Sequence, residues 1–471
     1  MAAPWWLKVV IFYNFLVLIY FFALNTVYLL LLLLAALEIR YQSLKPRMGV
    51  ARENSTDIVP TVGVFVPAYN EEQTIRSTIK ALLNLEYPQL EVIVINDGST
   101  DDTLAKLKQD FKLLPVSRQP ATQISTEEVK QVYKSLLKDQ LVVIDKANGG
   151  KADALNAGLN FTRSELFISV DADTLIEPGG LESLVEEYLT RDAQVVGVGG
   201  IVNIANGSKV VEGRVKKARI PSDFIPSMQI IEYLRAFLFG RMGWSRIEAL
   251  PIISGAFGLF HTESVVETGG YRTDTVGEDM DLVIRLHRLM HEKDNNYSIV
   301  FTPKPVCWTQ APETLRSLHK QRSRWQRGLG ESLVHNWDMI GKPQFGRIGM
   351  LALPFYLVFE FLGPLVEVTG TVVFAVSWAL GWVNLDFALL FFLLAVLYGT
   401  LLSTATLVMG EWAFRIYDDF FDQLKLLGLA LVENFGYRQA HAWWRFSGII
   451  DFIKGKDTWG EMIRSPFEID S

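Results

Sequence analysis

The chain has 471 residues, a formal net charge of −7 and 49% hydrophobic side chains, enough for a large core and two or three structural units. The acidic balance, with no long basic stretch, excludes a nucleic-acid footprint. The single cysteine, Cys307, excludes an intramolecular disulfide and any cysteine-rich metal site.

The first feature in chain order is an apolar run over residues 15–37, in which Asn25 and Thr26 are the clearly polar side chains. That length crosses a bilayer as a helix. It exceeds the apolar core of a secretory signal and no small-residue cleavage site follows, so residues 1–40 are expected to form a retained anchor. Arg40, Lys45, Arg47 and Arg52 follow the run and only Lys8 precedes it, which predicts that the central region faces the cytoplasm. Residues 41–59 are polar and read as a juxtamembrane linker.

From residue 60 the pattern becomes strand, turn, helix. Residues 61–66 are β-rich and run into Pro67-Ala68-Tyr69-Asn70-Glu71-Glu72, with a helix predicted over 72–85. Residues 90–95 form the next strand, ending at Asn96-Asp97-Gly98-Ser99-Thr100-Asp101-Asp102, with a helix to Phe111. Strands alternating with helices of this length predict parallel βαβ units. Residues 112–139 read as a polar insertion with a short helix over 126–138. Residues 141–144 resume the sheet, and Asn148-Gly149-Gly150-Lys151 turns into a helix through Leu159. Glycines opening a helix beside a lysine can cradle a phosphate, although the spacing is not that of a Walker A loop and a flexible turn explains it as well.

Residues 167–170 are apolar and empty into Asp171-Ala172-Asp173. Two hard oxygen ligands at the carboxyl edge of a sheet suit Mg²⁺ or Mn²⁺ bridged to a diphosphate. A chain this long contains about one Asp-x-Asp by chance, and Asp279-Met280-Asp281 is a second. Position separates them. The first is the fourth successive strand end to carry polar side chains; the second opens an amphipathic helix to about Met290, where acidic residues offset the helix dipole.

Ile253-Ser254-Gly255-Ala256-Phe257-Gly258 marks a close approach of backbone. His287 and His291 have zinc-like spacing, but no third ligand is evident. A helix predicted over 312–336 carries Gln321, Arg324, Trp325 and Gly328 on one face. Arg324 can fork onto a diphosphate, and Trp325 can stack on a sugar. Beyond it, residues 341–410 are expected to hold an interfacial helix and two spans, about 361–383, interrupted by Pro364 and Glu367, and 387–409, which is uncharged. Residues 411–471 read as amphipathic interfacial helices.

Together, Val-Pro-Ala-Tyr-Asn-Glu-Glu from Val66, Asn-Asp-Gly-Ser-Thr-Asp-Asp from Asn96, Asn-Gly-Gly-Lys from Asn148, Asp171-Ala172-Asp173, Glu278-Asp279 and Gln321-Arg322-Ser323-Arg324-Trp325 resemble, in this order, the family 2 membrane β-glycosyltransferases: hyaluronan, chitin, cellulose and poly-N-acetylglucosamine synthases. The resemblance covers about residues 60–335. It implies a GT-A-type α/β domain over 60–340, with a mixed, mostly parallel sheet and helices on both faces, and inverting transfer from a nucleotide sugar, with UDP-N-acetylglucosamine or UDP-glucose favoured. Carried over, Ala68, Tyr69, Glu71 and Asp97 would hold the uridine, Lys151 would sit near the nucleotide, and Asp171, Ala172 and Asp173 would face donor and metal. Asp279 would be the general base. Ser254, Gly255, Glu278, Gln321, Arg324 and Trp325 would border the diphosphate and acceptor. Gly277 stands where several relatives have threonine.

The implied partners are a UDP-sugar, a polysaccharide acceptor, membrane lipid and an accessory export subunit, with the chain in the plasma membrane and its catalytic domain cytoplasmic. Single-sugar transfer to a polyprenyl-phosphate or other lipid acceptor is the alternative, and an inactive export or sensor module a third reading.

Overall fold

The computed structural model describes residues 4–44, 59–171, 174–211, 214–417, 419–456 and 469–470. Its centre is a ten-stranded mixed sheet built from β1 (Val62–Ala68), β2 (Leu90–Asp97), β3 (Leu113–Val116), β4 (Val129–Ser135), β5 (Leu141–Lys146), β6 (Leu166–Val170), β7 (Leu175–Ile176) and β8 (Gln194–Ile204), continued below. After β9 (Lys209–Val211) and β10 (Arg214–Lys217), which pair in a small second sheet with β13 (Ile469–Asp470), come β11 (Phe257–His261) and β12 (Tyr297–Thr309). The large sheet runs β3-β4-β5-β2-β1-β6-β11-β8-β12-β7.

The strands β5, β2, β1 and β6 are adjacent and parallel, so their carboxyl ends share one edge. Register makes this specific: Ala68 pairs with Asn96, Asn96 with Asp145 and Asp97 with Lys146, while Phe65 pairs with Ser169 and so brings Asp171 to the same edge. Helices cover both faces because the strand side chains alternate. Val62, Val64 and Val66 face Ile75, Ile79, Leu181 and Leu184, whereas Phe65, Ile93 and Ile95 face Ala154, Leu155 and Ala157. The second of these cores continues through Met242 and Leu250 to Leu31, Leu353 and Leu402, so sheet and apolar helices share one interior.

Two expectations are corrected. Residues 129–135 form β4, not a helix. Val132 packs into the core on one face of the sheet and Tyr133 against the core on the other, and the segment pairs antiparallel with the otherwise open edge of β5. The segment ahead of the second span is not a separate interfacial helix. Ile348–Ala379 is one 32-residue apolar helix, bent where Pro364 lacks an N–H and widened into π-type turns over Tyr356–Phe361.

Among the described residues, three helices are long and apolar enough to cross a membrane: Trp5–Leu44, Ile348–Ala379 and Leu385–Phe414. Residues 41–44 continue the first helix, and the rest of the expected linker, 45–58, lies outside the described residues. Several polar side chains in these helices find partners within the bundle, as an apolar surrounding favours. Asn25 donates to the Leu394 carbonyl at 2.8 Å, Asn14 to Ser377 Oγ at 3.2 Å, and Thr26 to the Phe22 carbonyl of its own helix at 2.7 Å. Helices Phe420–Val432 and Tyr437–Ile453 close the described bundle.

Candidate active site

At the edge where β1 and β2 end, the two following loops are tied together. Asn70 N donates to Ser99 Oγ at 3.1 Å, Thr100 N to Asn70 Oδ1 at 2.8 Å and Glu71 N to Thr103 Oγ1 at 2.9 Å. Ala68 is buried and Tyr69 exposed beside it, and Glu71 Oε2 accepts from Thr74 Oγ1 at 2.7 Å. Asp97 turns inward. Its carboxylate accepts from Lys146 Nζ at 2.7 Å, Gly149 N at 3.0 Å and Gly150 N at 2.8 Å. The two glycine amides that the sequence offered as a phosphate cradle are therefore occupied by a carboxylate of the fold. Gly150, at φ 88°, has the conformation that lets the chain turn from this clamp into helix Lys151–Phe161.

That turn delivers Lys151 to the end of β6. Its Nζ donates to Asp171 Oδ1 at 2.5 Å and to the Gly255 carbonyl at 3.0 Å. Burial opposes its charge, but the carboxylates of Asp171, Glu278 and Asp279 hold the ammonium above its ordinary value. Gly255 faces both ways, because its own N–H donates to Asp279 Oδ2 at 3.2 Å. One residue of the Ser254-Gly255 turn thus joins the Asp171–Lys151 pair to Asp279.

Asp279 lies in the first turn of helix Glu278–Glu292, whose acidic start with Glu278 and Asp281 offsets the positive helix end. The three carboxylates have separate surroundings. Asp281 is fully buried and accepts from Arg285 Nε at 2.7 Å and Asn336 Nδ2 at 3.0 Å, which makes it a structural anchor. Glu278 is buried in the cavity wall; desolvation pushes its carboxyl up to about 7, with Asp279 adding to the rise and Lys151 and Arg324 opposing it. Asp279 is half-buried at the cavity surface.

Helix Leu315–His335, capped by Thr314 Oγ1 accepting from Ser317 N at 3.2 Å, crosses this helix start. Glu331 Oε2 accepts from Thr275 Oγ1 and Val276 N, both at 2.8 Å, and Ser332 Oγ donates to the Gly277 carbonyl at 3.2 Å. Gln321, Arg324, Trp325 and Gly328 accordingly line one cavity with Asp279.

The cavity has a volume of about 770 Å³. It brings together Lys151, Asp171, Ser254, Gly255, Glu278, Asp279, Gln321, Arg324 and Trp325. Ala68, Tyr69, Glu71 and Asp97 are not in its lining; they lie along the neighbouring strand ends. Ala172 and Asp173 lie outside the described residues. His287 is no metal ligand here, since Tyr297 Oη and the Leu250 carbonyl occupy its ring nitrogens at 2.7 and 2.9 Å and burial lowers its pKa to about 4.

Sequence reasoning missed the opposite wall. Residues 224–246 form one helix whose middle, Tyr233–Gly240, is a π-type turn, and its Tyr233, Phe237 and Arg241 line the cavity. Beyond them the lining continues through Tyr28, Tyr356 and Glu360 on two apolar helices, and His441 and Arg445 on helix Tyr437–Ile453. Tyr233, Phe237 and Arg241 recur at i, i+4 and i+8, which helical periodicity reads as one face, but that spacing does not distinguish a cavity wall from a core stripe. Polar residues within apolar stretches, such as Glu360 and His441, were the available signal.

A divalent cation fits the described donors in one respect. Asp171 offers a hard carboxylate oxygen at a strand end facing a cavity, and Mg²⁺ or Mn²⁺ completes its shell with waters and substrate phosphates. Among the described residues no group of three His, Cys, Asp or Glu side chains forms a closed cage.

The profile described as Glycosyl transferase family 2 matches residues 63–215, and that described as Glycosyl transferase family group 2 matches residues 166–416, over half of the chain. A poly-beta-1,6-N-acetyl-D-glucosamine synthase of Staphylococcus epidermidis is 30% identical over 283 residues, 60% of this chain and 58% of that protein. Its counterpart in Staphylococcus aureus is 29% identical over 302 residues, 64% and 61% of the respective chains. The chain thus spans about three fifths of the length of these curated relatives. A mannosyltransferase of Pyrobaculum calidifontis, solved with GDP-mannose and Mn²⁺, shares the fold over 93% of this chain and 99% of its own, with a TM-score of 0.57 at 20% identity.

Proposed function

The chain belongs to glycosyl transferase family group 2, and from that premise we propose that it is an inverting, processive synthase. It transfers N-acetylglucosamine from UDP-N-acetylglucosamine to the end of a β-linked polysaccharide and passes the product between its own apolar helices. The observation that carries this reading is the continuity of the cavity from Asp171 and Lys151, past Asp279 and Trp325, to Tyr28, Tyr356 and Glu360. The identity to poly-N-acetylglucosamine synthases supports this sugar, with glucose next.

In this reading Asp279 takes the proton of the acceptor hydroxyl as that oxygen attacks the anomeric carbon. The bond from that carbon to the diphosphate oxygen breaks on the opposite face, and UDP leaves with the electron pair. Lys151 and Arg324 offset its charge. Asp171, with Asp173, would hold Mg²⁺ or Mn²⁺, which supplies further positive charge to the leaving group when bound. Trp325 offers the acceptor sugar an apolar face. Ala68, Tyr69 and Glu71 border the uridine, and Asp97 serves it indirectly by holding the Gly149-Gly150 turn.

The three apolar helices support a plasma-membrane location. Trp6 packs on Trp382 with ring centroids 5.1 Å apart, while Glu38 pairs with Arg246 of the catalytic domain at 3.2 Å. The first helix therefore has one end at the turn between the other two spans and one at the catalytic domain. The basic residues after the first apolar run assign that second end to the cytoplasm.

The test supplies the purified chain with Mg²⁺ or Mn²⁺ and radiolabelled UDP-N-acetylglucosamine, UDP-glucose or GDP-mannose. A β-linked polymer from UDP-N-acetylglucosamine, abolished by a chelator, is expected. A short product that partitions into organic solvent would replace this reading with single transfer to a lipid.

A further inference from the structure

Arg235, Arg241, Arg322 and Arg445 are among the arginines that line the cavity, and Arg241 differs from the other three. Arg322 pairs with Glu232 at 2.9 Å, Arg235 with Glu433 at 2.9 Å and Arg445 with Glu360 at 2.8 Å. Arg241 is 5% exposed and lines the same cavity. Its Nη1 has no hydrogen-bond acceptor among the described residues, and no carboxylate there stands within ion-pair distance. A guanidinium keeps its charge under these conditions, and burying it without a counter-group is costly. Among the described residues this cation meets an aromatic face but no acceptor for Nη1, which leaves that donor for a partner bound in the cavity.

Its surroundings indicate what that partner is. The Arg241 guanidinium lies 4.3 Å from the centroid of the Phe237 ring, which packs against Tyr233 at 4.3 Å and Trp325 at 5.7 Å. This aromatic cluster presents apolar ring surface of the kind a pyranose stacks on, with the Arg241 guanidinium over the Phe237 ring and that of Arg322 over Trp325 at 4.1 Å. Asp279 is close enough to act electrostatically on Arg241, so the position adjoins the base and not only the membrane end.

We propose that Arg241, with Phe237 and Trp325, forms an acceptor-sugar subsite in which the guanidinium binds a substituent oxygen of the acceptor saccharide, such as an N-acetyl carbonyl, while the rings carry its apolar face. The subsite rests on the synthase reading above and adds an acceptor-binding residue to it.

The test uses the full-length chain in detergent, with Arg241→Met and Arg241→Lys. A soluble β-1,6-linked N-acetylglucosamine pentasaccharide is the acceptor and UDP-N-acetylglucosamine the donor. Arg241→Met should melt at or above the wild-type temperature, because it removes an unpaired buried charge. Its acceptor KM should rise roughly tenfold or more, the loss expected of one charge-assisted hydrogen bond, while its donor KM stays within about twofold. Arg241→Lys should recover part of the acceptor affinity. A lowered melting temperature would make Arg241 structural, a parallel rise in donor KM would move it to the diphosphate, and an unchanged acceptor KM would leave it without this role; each overturns the proposal. If the wild-type chain uses another donor or acceptor, the substrate reading fails, and the same comparison on that pair decides Arg241. No transfer with any pair overturns both.

Discussion

Gly277 and Gly328 meet backbone to backbone: a Cβ on Gly277 would stand 2.6 Å from the Gly328 carbonyl oxygen, and one on Gly328 would stand 2.8 Å from the Gly277 Cα. The contact joins the start of the Asp279 helix to the helix of Arg324 and Trp325, and it leaves no room for a side chain at either position. A side chain at either position must push the two helices apart. Gly277→Thr should therefore cost about 1–3 kcal/mol of stability, the usual range for overpacking, and lower kcat more than donor KM, because base and diphosphate ligands move relative to each other. Melting curves and steady-state kinetics check it. A variant with wild-type stability and kcat would show that the contact is slack.

The strand ends were legible in the sequence because a short apolar run emptying into Asn, Asp and Gly has one simple reading at the edge of a parallel sheet. β4 was not, because Lys130, Gln131 and Lys134 interleave with Val132 and Tyr133 in a segment whose partner strand decides its form. Gly277 stood out as a departure, but its cause lay in Gly328 on another helix. The wall of Tyr233, Phe237 and Arg241 was invisible for a different reason: its i, i+4, i+8 spacing is that of any helix face, and only tertiary packing turns it toward the cavity. Asp97 was placed at the correct edge, yet its engagement with Lys146, Gly149 and Gly150 needed the β2–β5 register.

Asp279 is the side chain on which the proposed proton transfer turns. Its Oδ2 accepts from Gly255 N, and Asn can keep an oxygen in that place while losing basicity. Asp279→Asn should reduce kcat by about 10²–10⁴, the usual contribution of a positioned acid or base, and leave UDP affinity measured by calorimetry unchanged. Transfer at the wild-type rate would remove Asp279 from the base role.

Glu278 supplies a pH dependence. Its folded-state pKa, about 7, lies above the ordinary glutamate value of 4.5, chiefly through burial. A raised carboxyl contributes stability below its unfolded value, and that contribution disappears as pH rises through the folded value. The protein should lose up to about 3 kcal/mol from this group as pH rises from the ordinary value to the folded one. Glu278→Gln mimics the neutral form, so it should melt higher than wild type at about pH 8 and similarly at about pH 4.5. Thermal melts of both proteins across that range test the sign; a pH-independent difference would refute it.

Lys146 has no exposed surface and bridges two carboxylates, Asp97 at 2.7 Å and Asp153 at 2.5 Å. Lys146→Met keeps much of the side-chain volume but leaves both acids buried without their shared cation, a change that should cost about 3–5 kcal/mol. Asp97 also holds the turn that delivers Lys151 to Asp171, so the damage should extend to donor binding and raise donor KM. Replacing all three groups, as Lys146→Met with Asp97→Asn and Asp153→Asn, removes the unpaired charges and should recover much of the lost stability. It should not recover donor affinity, because a neutral amide at position 97 holds the Gly149 and Gly150 amides less firmly than a carboxylate. Denaturant titration of the two variants, together with donor KM, separates these effects. Recovery of both in the triple variant would show that the clamp is not needed to position Lys151.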